Sequence, residues 1–156
     1  MKRFTLACAL LIASVGLKAQ ITTGKDVAVV ATDAGKVRGY IHSGIYTYKG
    51  IPYAEANRFE APHKPKAWTG VRSSLTYGPV APLMTPTTQV QDESEFVFDH
   101  SWGYTNEDCM RVNVWTPGIK DGRKRPVMFW IHGGGFTVGS AEELKSYDGE
   151  NLAKKG

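Results

Sequence analysis

The sequence predicts an α/β protein in which antiparallel strands lead into a central mixed sheet, and three observations support this. Two β-prone runs on either side of Gly35 predict a hairpin near the N-terminus. The unbroken apolar run at residues 126–131 is typical of a strand that is buried on both faces of a sheet. Three consecutive glycines, residues 133–135, follow this run, and a buried strand that leads into a glycine loop suggests the opening of an α/β enzyme.

The first half of the chain contains three predicted strands and a long irregular segment. The hairpin occupies residues 27–32 and 36–41, and a third strand follows at residues 45–49. Residues 50–106 contain prolines at positions 52, 62, 65, 79, 82 and 86. Because proline interrupts regular hydrogen bonding, we expect this segment to be a long loop, and such long loops are usually either functional or disordered.

Regular structure is predicted again from residue 111. Residues 111–115 form a short strand, and a charged turn at residues 120–124 separates it from the apolar run. Short helical turns are expected at residues 141–144 and 149–155, with Gly156 as the helix stop.

The N-terminus has the pattern of a secretory signal peptide. Lys2 and Arg3 precede an apolar stretch at residues 4–16, and a small residue, Ala19, stands at the expected cleavage site. We therefore expect residues 1–19 to be removed and the protein to be periplasmic or extracellular. The alternative is an ordinary buried N-terminal helix. The apolar stretch is too short to span a bilayer, so no membrane anchor is predicted.

The charge of the chain lies largely in this segment. The whole chain has 19 basic and 15 acidic residues, and residues 20–156 keep 16 basic and 15 acidic ones. A net charge near +1 provides no basic patch of the kind that binds nucleic acid. Nucleic acid is therefore not an expected partner.

Cysteine and histidine usage does not predict a metal site or a cofactor. Cys8 belongs to the signal segment, which leaves Cys109 alone in an oxidising compartment as a buried thiol or as a cysteine with a missing partner. The histidines His42, His63 and His100 show no metal-ligand spacing.

The glycines at 133–135 allow three interpretations. A phosphate-binding loop requires G-x-G-x-x-G or G-x-x-x-x-G-K-[ST], and neither pattern is present. A plain tight turn needs one or two glycines, and a third costs roughly 0.5–1 kcal/mol relative to alanine. The third interpretation is an oxyanion hole, in which adjacent backbone N–H groups stabilise the negative charge of a tetrahedral intermediate. Lipases and esterases use such a histidine–glycine loop for this purpose.

His132 precedes the glycines directly, and two roles are open to it. It could act as a catalytic base, or its side chain could orient the glycine loop through a hydrogen bond. We favour the second role because His132 is only one residue from the predicted strand.

Four blocks of sequence together resemble the type-B carboxylesterases, the α/β-hydrolase group that includes para-nitrobenzyl esterases and cholinesterase-like proteins. The blocks occur in the family's order: Gly39 with YKGIPYA at 48–54; RF at 58–59 with Pro62 and WTGV at 68–71; EDCMRVNVWTP at 107–117; and HGGGF at 132–136 with GS at 139–140 and YDG at 147–149. The resemblance implies that residues 20–156 form the N-terminal part of an α/β-hydrolase fold.

The resemblance also implies roles for particular residues. Gly134 and Gly135 would supply two oxyanion N–H groups to a small-molecule ester. Arg58 and Glu107 would form a buried ion pair that fastens the long loop. The alternative is that these two residues are independent surface charges.

The sequence departs from the family's pattern in its long loop. The family often joins the cysteine of the EDC block to a second cysteine, and this chain has Ala81 near the partner position. Cys109 is therefore expected to be a free, buried thiol. Trp102 lies where the cholinesterase branch has a substrate-facing tryptophan, and we expect it to pack within the loop instead.

The chain also lacks the G-x-S-x-G nucleophile elbow of the family. Ser140 lies in VGSAE at 138–142, which has no second glycine. We therefore expect the nucleophile, acid and base to come from a C-terminal part of the domain, and this chain alone to be inactive. The alternative function is a non-catalytic, cholinesterase-like binding or adhesion module.

Overall fold

The computed structural model describes residues 20–82, 100–101 and 103–156. The expected signal peptide and Trp102 lie outside these residues. The described elements are β1 (Val29–Ala31), β2 (Lys36–Arg38), β3 (Tyr40–His42), β4 (Ile45–Pro52), β5 (Val71–Ser73), β6 (Arg111–Thr116), a 3₁₀ turn (Lys145–Tyr147) and α1 (Glu150–Ala153). Within the described ranges, no helix is long and apolar enough to cross a membrane.

The first sheet has the order β1–β2–β5 and contains the predicted hairpin. Strands β1 and β2 are antiparallel, with Val30 opposite Val37, whose side chain is fully buried. Trp68 closes the turn, because its indole Nε1 donates to the carbonyl oxygen of Lys36 at 2.9 Å. A Cβ on Gly35 would lie 2.5 Å from the Trp68 ring, so the turn needs glycine to admit the tryptophan.

Gly39 divides the second predicted strand into β2 and β3, which belong to different sheets. Its N–H donates to the carbonyl oxygen of Ala28 at 3.0 Å, and a Cβ there would lie 2.1 Å from the carbonyl oxygen of Thr47. The backbone of β4 therefore approaches too closely for any side chain at this position. The two sheets therefore approach each other closely at Gly39.

The second sheet has the order β3–β4–β6, and both strand pairs are antiparallel. Strand β4 is the longest, and its pairing with β6 is irregular between Tyr48 and Ile51. Gly50 lies in this irregularity with φ +68°, and its N–H donates to the side-chain oxygen of Asn113 at 2.9 Å. The YKGIPYA block therefore encodes a β-bulge that is tied to the neighbouring strand.

The core is small and centres on Ala28, Val37 and Tyr48. Tyr48 is 2% exposed, and its hydroxyl has no hydrogen-bond partner among the described residues. Burial, followed by the nearby Tyr46, raises the pKa of Tyr48 to about 12. Since an unpaired buried hydroxyl is destabilising, Tyr48 carries an energetic penalty at the centre of the core.

The predicted buried strand at residues 126–131 is wrong. These residues form no strand, and the exposed fractions are 88% for Val127 and 77% for Ile131. A strand forms only against a hydrogen-bonding neighbour, and none of the described strands pairs with this run. The helical segment predicted near the C-terminus is confirmed as α1, whereas residues 141–144 form an irregular turn.

Candidate functional site

The glycine loop connects the exposed apolar run to the turn at residues 141–144. The carbonyl oxygen of Gly134 accepts hydrogen bonds from the N–H groups of Thr137 at 3.0 Å and Val138 at 3.1 Å. These bonds close a tight turn over Gly135 and Phe136, which have φ values of +59° and +65°. The loop is thus defined by its own backbone.

Glycine at positions 134 and 135 serves different purposes. Gly134 has φ +118°, and a Cβ there would lie 1.8 Å from the carbonyl oxygen of Val138. Gly135 has a left-handed φ, but a Cβ there would meet nothing within 4 Å. Position 134 therefore needs glycine for space, whereas at position 135 the backbone conformation only favours glycine, since Phe136 adopts a similar φ of +65°.

The N–H groups of Gly134 and Gly135 donate to no acceptor within the described part of the chain. Gly134 is half-buried and Gly135 is exposed. The other N–H groups of residues 127–136 do not donate to a described acceptor either, so the two glycine amides belong to a longer unpaired run and are available to an outside acceptor. Such donors could stabilise a developing negative charge.

His132 lies at the entry of the loop. Its Nδ1 lies 2.8 Å from the carbonyl oxygen of Gly133, to which a protonated Nδ1 donates. A Cβ on Gly139 would lie 3.1 Å from the same nitrogen and 2.6 Å from the Gly133 carbonyl oxygen, so the loop's exit packs against its entry. The role of His132 in orienting the loop stays a prediction. The short distance between His132 Nδ1 and the Gly133 carbonyl oxygen is compatible with that role.

Arg58 and Glu107 lie in contact, which favours an ion pair over two independent charges. Arg58 donates from both Nε, at 3.1 Å, and Nη2 to the same Glu107 oxygen, Oε1. The expectation of a buried pair is wrong, because each side chain is 56% exposed. Both residues lie outside the strands and α1, on surface segments, so solvent screens the pair.

Cys109 is free, but its residue is half-buried rather than buried. The adjacent Asp108 pairs with Arg111 at the start of β6. The EDC block therefore joins the long loop to the second sheet through polar contacts.

Two contacts fasten the segment after the glycine loop to the second sheet. The Lys49 ammonium lies 3.5 Å from a carboxylate oxygen of Asp148 and 3.9 Å above the ring of Tyr77. Burial works to lower the pKa of Lys49, but the hydrogen bond and charge of Tyr77, with Asp148, raise this pKa overall. His42 Nδ1 also lies 2.5 Å from Glu150 Oε2, which ties β3 to α1.

Sequence reasoning missed Glu143, which interacts with the loop's exit. Its Oε2 accepts from the N–H of Ser140 at 3.0 Å, and the Ser140 hydroxyl accepts from the N–H of Glu142 at 3.3 Å. This arrangement resembles a capping box, but the Ser140 hydroxyl accepts from the residue two positions on rather than three, and no helix follows. The S-x-x-E spacing from Ser140 to Glu143 could have revealed it.

Comparison with known proteins places these features in a family. The model of the carboxylesterase family matches residues 26–156. The chain is similar to a phenmedipham hydrolase of Pseudarthrobacter oxydans, with 37% identity over 82% of this chain and 26% of that protein. It is also similar to a para-nitrobenzyl esterase of Bacillus subtilis (strain 168), with 36% identity over 82% of this chain and 25% of that protein.

Solved structures give the same result for the fold. An esterase from Clostridium hathewayi, described as able to hydrolyse aliphatic aromatic polyesters, has a TM-score of 0.79. Its identity is 41%, over 88% of this chain and 26% of that chain. The predicted α/β-hydrolase fold is confirmed, and the chain spans about a quarter of the length of these relatives.

Proposed function

The chain belongs to the carboxylesterase family, and from this premise we propose that it supplies the oxyanion hole of a serine esterase. Gly134 and Gly135 are the residues that carry this role. Their substrate is a carboxylic ester of a small molecule.

The proposed reaction passes through an acyl-serine intermediate. Attack by a serine hydroxyl on the ester carbonyl forms a tetrahedral intermediate with negative charge on the former carbonyl oxygen. The N–H groups of Gly134 and Gly135 donate to that oxygen. Removal of one such donor costs about 2.7–4 kcal/mol of barrier in enzymes of this kind.

One observation carries the proposal. Two adjacent amides without an acceptor among the described residues lie in a loop that Gly134 makes compact. The tight turn that closes on the Gly134 carbonyl oxygen distinguishes these two donors from the other unpaired amides of residues 127–136, most of which lie in an exposed run. An oxyanion hole uses such a preorganised pair of donors, which favours catalysis over the alternative of a non-catalytic binding module.

The nucleophile, acid and base are proposed to come from sequence beyond this chain, with residues 20–156 as the N-terminal part of the domain. Ser140 does not fit the nucleophile, because its residue is only 7% exposed and its hydroxyl accepts from the Glu142 N–H. We accordingly propose that residues 20–156 alone do not hydrolyse esters.

We also propose that residues 1–19 are a signal peptide that is cleaved near Ala19, so that the protein acts in the periplasm or outside the cell. Mass spectrometry of the protein secreted from a host with the complete leader would give the new N-terminus. Retention of Met1 in the exported protein would contradict this proposal.

The function is tested by comparing residues 20–156 with the protein expressed from the complete coding region. We expect the longer protein to hydrolyse para-nitrophenyl butyrate and a serine-directed phosphonate to abolish this activity. Hydrolysis by residues 20–156, abolished by the same phosphonate, would overturn the proposed division of labour. A longer protein that folds but never hydrolyses esters would favour the binding module.

A further inference from the structure

The glycine loop is closed at its base, where residues from its two ends pack together. A Cβ on Gly139 would lie 2.6 Å from the Gly133 carbonyl oxygen and 3.1 Å from His132 Nδ1. Gly139 itself has φ +94°. The directions of the amides between these ends therefore depend on what holds the base closed.

Glu143 lies at this base. Its Oε2 accepts the N–H of Ser140 at 3.0 Å and lies 3.2 Å from the same Gly139 Cβ position. Glu143 Oε2 thus lies next to the backbone of the loop's exit. It is also close to the Gly139 Cβ position, which His132 Nδ1 approaches as well. This hydrogen bond fixes the distance between the exit backbone and the turn that carries Glu143.

The second carboxylate oxygen extends the link to the segment before the glycines. The hydroxyl of Tyr147 donates to Glu143 Oε1 at 3.4 Å, a long hydrogen bond. The Tyr147 ring in turn lies 5.3 Å, centroid to centroid, from the ring of Trp130, in a tilted arrangement. Trp130 is two residues before His132, so Glu143 is linked through Tyr147 to the segment before the glycines.

The backbone of Glu143 is also fixed. Its carbonyl oxygen accepts from the N–H of Ser101 at 2.7 Å, and the next residue, Leu144, forms a β-bridge with His100. The carboxylate therefore projects from a turn that is held by a different part of the chain. A group that must hold a loop in one position requires such support.

We infer that Glu143 is a positioning residue for the proposed oxyanion hole: its carboxylate holds the loop's exit so that the Gly134 and Gly135 amides face one point. This inference rests on the function proposed above. Glu143 does not contact the substrate and acts only through the backbone. The required property is hydrogen-bond acceptance at the right reach, not negative charge.

The test uses the esterase expressed from the complete coding region, with two variants that separate reach from charge. Glu143→Gln keeps an acceptor oxygen at the same distance without the charge, and Glu143→Asp keeps the charge but withdraws the oxygen by one methylene. We expect Glu143→Asp to lower kcat ~10–100-fold while KM changes less than ~3-fold, since misplacement by about 1 Å costs roughly 10²-fold. Glu143→Gln should stay within ~3-fold of wild type by the same reasoning. Glu60→Ala, in an exposed turn where Glu60 accepts from Asn57, serves as the control for losing a carboxylate.

A wild-type kcat for Glu143→Asp together with a lowered kcat for Glu143→Gln would overturn the inference, because negative charge would then be the requirement. Equal activity of both would also overturn it. Gly134→Ala distinguishes a failure of the proposed oxyanion hole from a failure of the proposed role of Glu143. If Gly134→Ala lowers kcat and Glu143→Asp does not, only the role of Glu143 fails; if Gly134→Ala leaves kcat unchanged, the oxyanion hole itself fails and the inference with it.

Discussion

Substitution of Gly134 by alanine tests the geometry of the loop directly. The added Cβ would lie 1.8 Å from the carbonyl oxygen of Val138, where ordinary contacts begin at 3.4 Å. Since the obstructing atom is backbone, no side-chain rotation relieves the clash. The two peptide groups must separate by roughly 1.6 Å, which breaks the turn that Gly134 forms with Val138.

The expected kinetic effect follows from this displacement. Misplacement of a catalytic group by about 1 Å costs roughly 10²-fold, and loss of one oxyanion donor costs ~10²–10³-fold in kcat. We therefore expect Gly134→Ala to lower kcat by ~10²–10³-fold with para-nitrophenyl butyrate, in the protein from the complete coding region. Binding of a trifluoromethyl ketone, which forms a tetrahedral adduct with serine, should weaken by a similar factor.

Gly135→Ala is the matched control, because a Cβ at this position meets nothing within 4 Å. Its left-handed φ costs alanine only about 1–2 kcal/mol, so the loop can keep its shape. We expect a loss of kcat no greater than ~10-fold for this variant. Full activity of Gly134→Ala, or a larger loss for Gly135→Ala, would refute the reasoning.

Three further predictions concern stability. The pKa of Tyr48 is raised to about 12 from its ordinary value of 10.0, so the unfolded state loses this proton at a lower pH than the folded state. The free energy of unfolding, measured with urea, should therefore fall between pH 10 and 12 by up to ~1.4 kcal/mol per pH unit. Tyr48→Phe should reduce that fall, and Tyr77 and Tyr147, whose pKa values are also raised, account for the part that remains. The variant should be neutral or stabilising at pH 7, and strong destabilisation would mean that the hydroxyl has a partner. Gly39→Ala should lower the unfolding midpoint far more than Gly44→Ala, because only the first Cβ, 2.1 Å from a β4 carbonyl, meets backbone; equal effects would contradict the close approach of the sheets. Glu107→Gln should leave the urea midpoint near that of the wild type, because the pair with Arg58 is exposed to solvent. The difference should be smallest in 1 M salt, where the Debye length is about 3 Å. A large drop of the midpoint in 1 M salt would show that the pair is shielded from solvent.

Local patterns predicted the residues of five described strands, β1–β4 and β6, whereas β5 lies in the segment expected to be a loop. The turn at Gly35 and the short strand at residues 111–115 depend on neighbours in sequence, and the structure contains both the hairpin and β6. The run at residues 126–131 was predicted wrongly because burial of a strand is a property of its neighbours. Apolar composition alone cannot supply them.

The candidate site was predictable to a similar depth. The glycine triplet led to the oxyanion-hole prediction, because few uses explain three consecutive glycines, and that role stays a prediction. The exposure of Arg58 and Glu107 was not predictable, since a motif specifies which residues meet but not how much solvent reaches them. Glu143 was missed because its signal, a serine three residues earlier, is common in any helix or turn start.

The pairing of β4 with β6 has a consequence for the order of folding. The hairpin of β1 and β2 closes a short loop, whereas Thr47 meets Trp115 only after the whole proline-rich segment has been spanned. Loop-closure entropy makes such distant pairing slow relative to local pairing. The contacts that fasten the glycine loop's flanking segment, such as Lys49 with Asp148 and Gly149 against Trp115, depend on this late sheet. The earliest compact states of the chain would therefore contain the hairpin but not yet a supported glycine loop.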